Sequence, residues 1–258
     1  MNVVVTGATR GLGRALCDRF LGDGHRVCAV QRGARDDLAG VAGYHELRRD
    51  LGEPALVDDL AAELAAWGRP DLVVHSAVRC EPDPDGEVAV DELDRHVRVN
   101  AVVPCALSRA LARRLDDAEV THVFFGTLSA CDPEPELAAY GASKLALVGL
   151  VRHLARTLAD THHRVASLVL GSLATPDNLA HLDAEIAAGL GADRAATLTA
   201  AQQRTVRRAL VARRRPGAAF PDLVPLVAVH RAVCALAELG PAGHGATWRL
   251  DHGLEARL

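Results

Sequence analysis

Short, nearly uncharged apolar runs alternate along the chain with longer stretches in which apolar positions recur every three or four residues. Residues 2–6 (NVVVT), 26–31 (RVCAVQ), 71–75 (DLVVH), 120–126 (VTHVFFG) and 164–170 (RVASLVL) are of the first kind, and 245–250 (GATWRL) closes the series. Apolar strands without polar alternation belong to a sheet covered on both faces. Segments 11–22, 55–67, 91–115, 138–160 and 223–239 carry the helical period. Strand and helix taking turns in this way predict an α/β fold, a doubly wound parallel sheet with helices on both faces. Between Thr175 and about Pro221 the rhythm breaks. Two helical stretches, LDAEIAAGLGAD and TLTAAQQRTVRRALVARRR, follow one another with no strand between them. An insertion there lies beyond the carboxyl ends of the strands, where such sheets bind ligands, so residues 176–221 read as a helical substrate lid. No internal repeat or low-complexity linker interrupts the chain, and residues 1–258 read as one domain.

Composition narrows the function classes. Of 258 residues, 49% are hydrophobic, which supplies a sizeable core and argues against disorder. A net charge of −4 gives no footprint for nucleic acid. No apolar run approaches the roughly 18 residues of a membrane span. The opening MNVVVTGA lacks the basic region and long apolar stretch of a signal peptide, so a cytoplasmic location is expected. Cys17, Cys28, Cys80, Cys105, Cys131 and Cys234 form no C-x-x-C pair and have no histidine cluster beside them. Buried reduced thiols are expected, without metal or disulfide.

The first run leads directly into Thr6-Gly7-Ala8-Thr9-Arg10-Gly11-Leu12-Gly13, followed by an amphipathic helix. Glycines at that place permit a tight turn and a close approach of backbone to a pyrophosphate, and the helix N-terminus offers N–H donors and a favourable dipole. A dinucleotide site is expected. At the end of the second run, where an acid would bind a ribose 2′-hydroxyl, the chain has Gln31 and Arg32. Arginine suits a 2′-phosphate, so NADP(H) is expected over NAD(H), with Asp36 and Asp37 the nearby features that oppose it.

Lys144 is the only lysine; every other one of the 29 Lys and Arg residues is arginine. It stands four residues after Tyr140, on the same helical face. A phenol with a pKa of about 10 is a poor acid–base catalyst near neutrality, and an adjacent ammonium favours its phenolate. A compact ammonium donates in three rotatable directions; a planar guanidinium does not.

The spacing Thr6-Gly7-x-x-x-Gly11-x-Gly13 together with Tyr140-x-x-x-Lys144 resembles the short-chain dehydrogenase/reductase family, and the resemblance runs along nearly the whole chain. It implies a Rossmann-type sheet of about seven strands. It further implies that Tyr140 is the acid/base, that Lys144 holds the nicotinamide ribose, and that Asn100, 40 residues before Tyr140, supports a proton relay. Asp50, with Leu51 beside it, falls where the family contacts adenine. Ser76 and Ala77 match the stretch after strand four, and Gly171 to Thr175 match the loop whose threonine holds the nicotinamide carboxamide. Arg10 would reach the same neighbourhood as Arg32. The family's catalytic serine, 13 residues before the tyrosine, is Thr127 here, with Ser129 the alternative hydroxyl. The family's Asn-Asn-Ala-Gly is His75-Ser76-Ala77-Val78, in which His75 reads as a structural hydrogen-bonder, and its Pro-Gly is Leu170-Gly171.

The expected reaction is reduction of a ketone or aldehyde by hydride transfer. A dehydratase or epimerase using the same tyrosine, and a non-catalytic dinucleotide-sensing or structural subunit, are the alternatives. The resemblance also implies a homodimer or homotetramer, with helix interfaces in 91–115 and 138–160. Residues 194–215 contain seven arginines and no acid. They read as a solvated lid face or as a docking patch for an acyl carrier protein or a CoA phosphate, with Leu198, Val206 and Leu210 towards the substrate.

Overall fold

Each apolar run becomes a strand because its alternate side chains enter two different cores. In the computed structural model, residues 1–83, 87–130, 135–214 and 222–250 are described. In chain order the elements are β1 (Asn2–Thr6), α1 (Gly11–Gly22), β2 (Arg26–Gln31), β3 (Tyr44–Arg48), α2 (Val57–Gly68) and β4 (Leu72–His75). There follow α3 (Val90–Val97), α4 (Val103–Arg114), β5 (Val120–Thr127), α5 (Ala138–Thr157) and β6 (His163–Leu170). The last are α6 (Pro176–Leu190), α7 (Ala192–Ala196), α8 (Ala200–Arg214), α9 (Leu226–Glu238) and β7 (Thr247–Leu250). Val3 and Val5 pack with Leu16 and Phe20 of α1 and Val233 of α9. Val4 between them packs with Leu60 and Leu64 of α2 and Leu107 of α4 on the opposite face. Period-two side-chain direction therefore turns one apolar run into two buried surfaces.

The described strands form one parallel sheet in the order β3-β2-β1-β4-β5-β6-β7. The chain runs outwards from β1 to β3, returns, and continues from β4 on the other side. The carboxyl ends of β1 and β4 thus flank the point where the connections diverge, and a crevice opens there. Thr6 ties the two strand ends together behind it: its Oγ1 accepts from the Ala77 backbone N–H at 3.0 Å.

Two expectations need correction. The runs named from the sequence do not include β3, whose five residues YHELR are all partly or well exposed. It is an edge strand covered on one side only, so it lacks the continuous apolar signature. The helix expected over 91–115 is broken: α3 and α4 are separated by a wider π turn at Arg98–Val102. Pro104, at the start of α4, has no N–H for the Asn100 carbonyl four residues earlier, which removes one regular helical bond at the break.

Three histidines stack beneath α4. His75, His122 and His163 lie on β4, β5 and β6, with ring centroids 5.9 Å and 5.3 Å apart. His75 Nε2 meets Ser108 Oγ at 2.9 Å, His122 Nε2 meets His163 Nδ1 at 3.0 Å, and His163 Nε2 donates to the Leu115 carbonyl at 2.9 Å. His75 is thus a structural hydrogen-bonder at a strand end. Burial pushes its pKa down to about 3 and lowers those of His122 and His163 as well. All three shifts lie below the ordinary value near 6.5, so as pH falls through that value the unfolded chain takes up protons that the folded one refuses. The contribution of these three groups to stability should be level above neutrality and fall as pH drops. Urea unfolding at about pH 5.5 should give a value about 2–4 kcal/mol lower than at about pH 7.5. His122→Gln should flatten that slope.

Candidate active site

The glycine loop is shaped by contacts that leave no room for side chains. Gly7 has φ +71°, and a Cβ there would lie 2.6 Å from the Ala77 Cα. A Cβ on Gly13 would lie 2.3 Å from the Gly7 carbonyl oxygen. Gly11 has φ +56° and open space beside it. The first and third glycines let β1, α1 and the segment after β4 close on one another; the middle one supplies the left-handed turn that brings the chain to the N-terminus of α1.

A cleft of about 810 Å³ runs from this loop across the carboxyl ends of the strands. It is lined at one end by Gly7, Thr9, Arg10, Gly11, Leu12 and Gly13, with Gln31, Arg32, Asp50 and Leu51. Ser76 and Ala77 line its middle, and Thr127, Tyr140, Lys144, Gly171 and Thr175 the other end. The residues fit a dinucleotide: backbone-only approach at the loop, a helix N-terminus behind it, and the buried Gln31 Oε1 without a hydrogen-bond partner at the edge of the cleft. Asp36 and Asp37 do not line it. Asp37 instead pairs with Arg35 and with Arg14. Arg10 lines the same cleft as Arg32, and its exposed guanidinium lies 3.8 Å from Asp177, at the start of α6.

Tyr140 and Lys144 lie on one face of α5. Lys144 is buried and donates from Nζ to the Phe125 carbonyl of β5 at 2.9 Å. Its Nζ is 5.9 Å from the centre of the Tyr140 ring. Burial, with a smaller opposing contribution from Cys80, brings its pKa down to about 8. Thr127, two residues beyond Phe125, ends β5 and lines the same cleft. Ser129 lies in the short turn after β5, and its side chain is outside those described.

Asn100 sits in the π turn, buried, and both ends of its carboxamide are bonded. Nδ2 donates to the Arg79 carbonyl and to Ser143 Oγ, both at 2.8 Å, and Oδ1 accepts from the Arg79 N–H at 2.7 Å. The side chain therefore ties the segment after β4 to α5. Thr175 caps α6, accepting from the Asn178 N–H at 3.2 Å. Asp50 Oδ1 accepts from the Gly52 N–H at 2.9 Å, folding the turn after β3.

Sequence reasoning missed two supports. Asp83 Oδ2 accepts from the Ala139 N–H at 3.0 Å, satisfying the first turn of the helix that carries Tyr140. Arg35, nearly buried, bonds the glycine loop itself. Neither belongs to a motif, and an Asp or Arg in a loop sends no local signal. The lid expectation also changes. Leu198, Val206 and Leu210 are not among the residues lining the cleft. Arg207 is bound to Asp183 of α6 through Nε at 2.7 Å and Nη2 at 2.5 Å, so this member of the arginine run holds α8 on α6. The Arg214 side chain and Arg215 lie outside the described residues.

Residues 1–185 match the short chain dehydrogenase family. The chain is 29% identical over 187 residues to 3beta-hydroxysteroid dehydrogenase 1 of Eggerthella lenta, covering 68% of this chain and 72% of that one. It is 29% identical over 195 residues to glucose 1-dehydrogenase of Gluconobacter oxydans, covering 70% and 72%. Among solved structures it is similar to 4-hydroxyisoleucine dehydrogenase complexed with NADH, with a TM-score of 0.79 at 22% identity over 100% of this chain and 99% of that one. It is similar also to L-sorbose reductase from Gluconobacter frateurii complexed with NADPH and L-sorbose, with a TM-score of 0.80 at 18% identity over 100% and 97%. These structural likenesses establish the fold. One neighbour holds NADH and the other NADPH, so the likenesses do not distinguish the two cofactors.

Proposed function

The chain belongs to the short-chain dehydrogenase family of NAD(P)-dependent oxidoreductases, and from that premise we propose that it is an NADP(H)-dependent reductase of a ketone or aldehyde. The observation that carries this reading is the buried Lys144 ammonium, anchored on β5 beside Tyr140 in the cleft that begins at the glycine loop. NADPH, when bound, supplies the hydride for the carbonyl carbon. Tyr140 gives its phenolic proton to the carbonyl oxygen, and the Thr127 hydroxyl donates to that oxygen and orients it. Lys144 stabilises the phenolate that remains and holds the nicotinamide ribose. Asn100 serves through its backbone carbonyl, which lacks the regular i+4 donor because that residue is Pro104, and through the hold of its side chain on Arg79.

The rest of the assignment follows the cleft. Gly7, Thr9, Gly11, Leu12 and Gly13 hold the pyrophosphate side, with the buried Thr6 supporting the loop through Ala77; Asp50 and Leu51 hold the adenine, and Ser76, Ala77, Gly171 and Thr175 the nicotinamide side. Residues 176–221 act as the lid of a single domain. Its exposed Arg194, Arg204, Arg208 and Arg213 would meet the acid of a carrier- or CoA-linked substrate. The exposed Val102 and Leu145 beside α4 and on α5 suit a homodimer or homotetramer. No described helix is long and apolar enough to cross a membrane.

Arg32 is exposed and lines the cleft, whereas Asp37 is held by Arg35 and Arg14 and Asp36 does not line it. Titration calorimetry should therefore show NADPH binding at least about tenfold tighter than NADH, and Arg32→Asp should narrow or reverse the gap. Equal binding by the parent would remove the NADP(H) assignment. NADPH oxidation screened against a panel of ketones, aldehydes and carrier-bound thioesters tests the reaction, and consumption with none of them would remove the reductase reading.

A further inference from the structure

Arg35 lies outside every motif of the cofactor site, yet it is tied to that site more closely than Arg32. Its side chain is 2% exposed. Nη1 donates to the Ala8 carbonyl inside the glycine loop at 3.1 Å. Nη2 donates to Asp18 of α1 at 2.7 Å and to Asp37 at 2.8 Å, and Nε donates to Asp37 at 2.8 Å. Its own backbone N–H donates to Glu46 of β3 at 2.9 Å. One guanidinium thus joins the loop, the helix that follows it and the turn after β2.

Two consequences bear on a bound dinucleotide. A trans peptide is planar, with its carbonyl and N–H on opposite sides. Drawing the Ala8 carbonyl inwards to Arg35 therefore turns the Thr9 N–H outwards, and Thr9 lines the cleft. The guanidinium also sits between two carboxylates behind the loop; without it only the exposed Arg14, 3.0 Å from Asp37 and 3.9 Å from Asp18, would oppose them, leaving one net negative charge near the phosphates.

We propose that Arg35 is a positioning residue for the cofactor: it presets the Ala8–Thr9 peptide and neutralises Asp18 and Asp37, so that the site accepts the extra charge of a 2′-phosphate. This rests on the dinucleotide reading of the cleft; whether the parent prefers NADPH is a separate measurement.

Calorimetric binding to the cofactor-free protein tests it. Arg35→Met should weaken NADPH by about tenfold or more and NADH by about threefold or less, because the more highly charged ligand feels the released acids more. Adding Asp18→Asn and Asp37→Asn to Arg35→Met should recover most of the lost NADPH-to-NADH ratio, which a scaffold role would not allow. Raising the salt should shrink the change in ratio. Equal losses for both cofactors, or no recovery in the triple variant, would overturn the proposal. Should Arg35→Met not fold by circular dichroism, Asp37→Asn in the parent gives the opposite arm. NADPH should then bind several-fold tighter with NADH nearly unchanged, and an unchanged ratio overturns the proposal. A parent without NADPH preference would remove the NADP(H) assignment, while the change of ratio at Arg35 would still decide this one. Loss of binding for both cofactors already in the parent would overturn both.

Discussion

Lys144→Met and Lys144→Arg are expected to give folded proteins whose carbonyl turnover falls by about a hundredfold or more. The lysine stem is buried and its Nζ makes one described hydrogen bond, to the Phe125 carbonyl. Methionine keeps the stem's volume and removes a buried charge, so the core is not opened. Arginine keeps the charge, and its longer head can extend into the cleft. Neither offers a compact ammonium that stabilises the Tyr140 phenolate while donating to a ribose. Circular dichroism checks the fold, and single-turnover kinetics with any accepted carbonyl checks the chemistry. Parent-like turnover by the folded arginine variant would mean that the chain's one lysine has no chemical role.

Gly13→Ala should be the most damaging small substitution in the cofactor site. Its Cβ would meet the Gly7 carbonyl oxygen at 2.3 Å and Ser76 Oγ at 3.1 Å. The first is backbone, in the glycine loop that lines the cleft, and cannot rotate away. α1 must retreat from β1 or the loop must open, at a cost of about 1–3 kcal/mol in stability and with dinucleotide binding lowered at least about tenfold. Gly149→Ala in α5 is the control. A Cβ there has nothing within 4 Å, so the variant should be more stable by up to about 1 kcal/mol. Thermal melts and calorimetry of the pair separate close packing in the loop from a general effect of removing glycine. Similar behaviour of the two variants would contradict the contact at Gly13.

Local order was enough to find most of the sheet and much of the site. Val3, Val4 and Val5 are apolar because neighbours in a doubly covered strand face opposite cores, and that is visible in any six residues. The glycine spacing records a turn that must close within eight residues. Tyr140 and Lys144 share a helix face because they are four residues apart. Each of these rests on the period of one element. β3 escaped because its pattern reflects an edge position, and edges are assigned by the finished sheet. The break at Asn100 was hinted at by Pro104, but its partner Arg79 was not, since 21 residues separate the bonded pair. The same holds for Arg35 with Ala8 and for Asp83 with Ala139, 27 and 56 residues apart. Whether a polar side chain in a loop is solvated or supports a catalytic helix depends on which groups folding brings within about 3 Å of it. No periodicity encodes that distance, so the positions of the site's chemical groups could be read from the sequence, while the groups that hold them in place were decided by the tertiary structure.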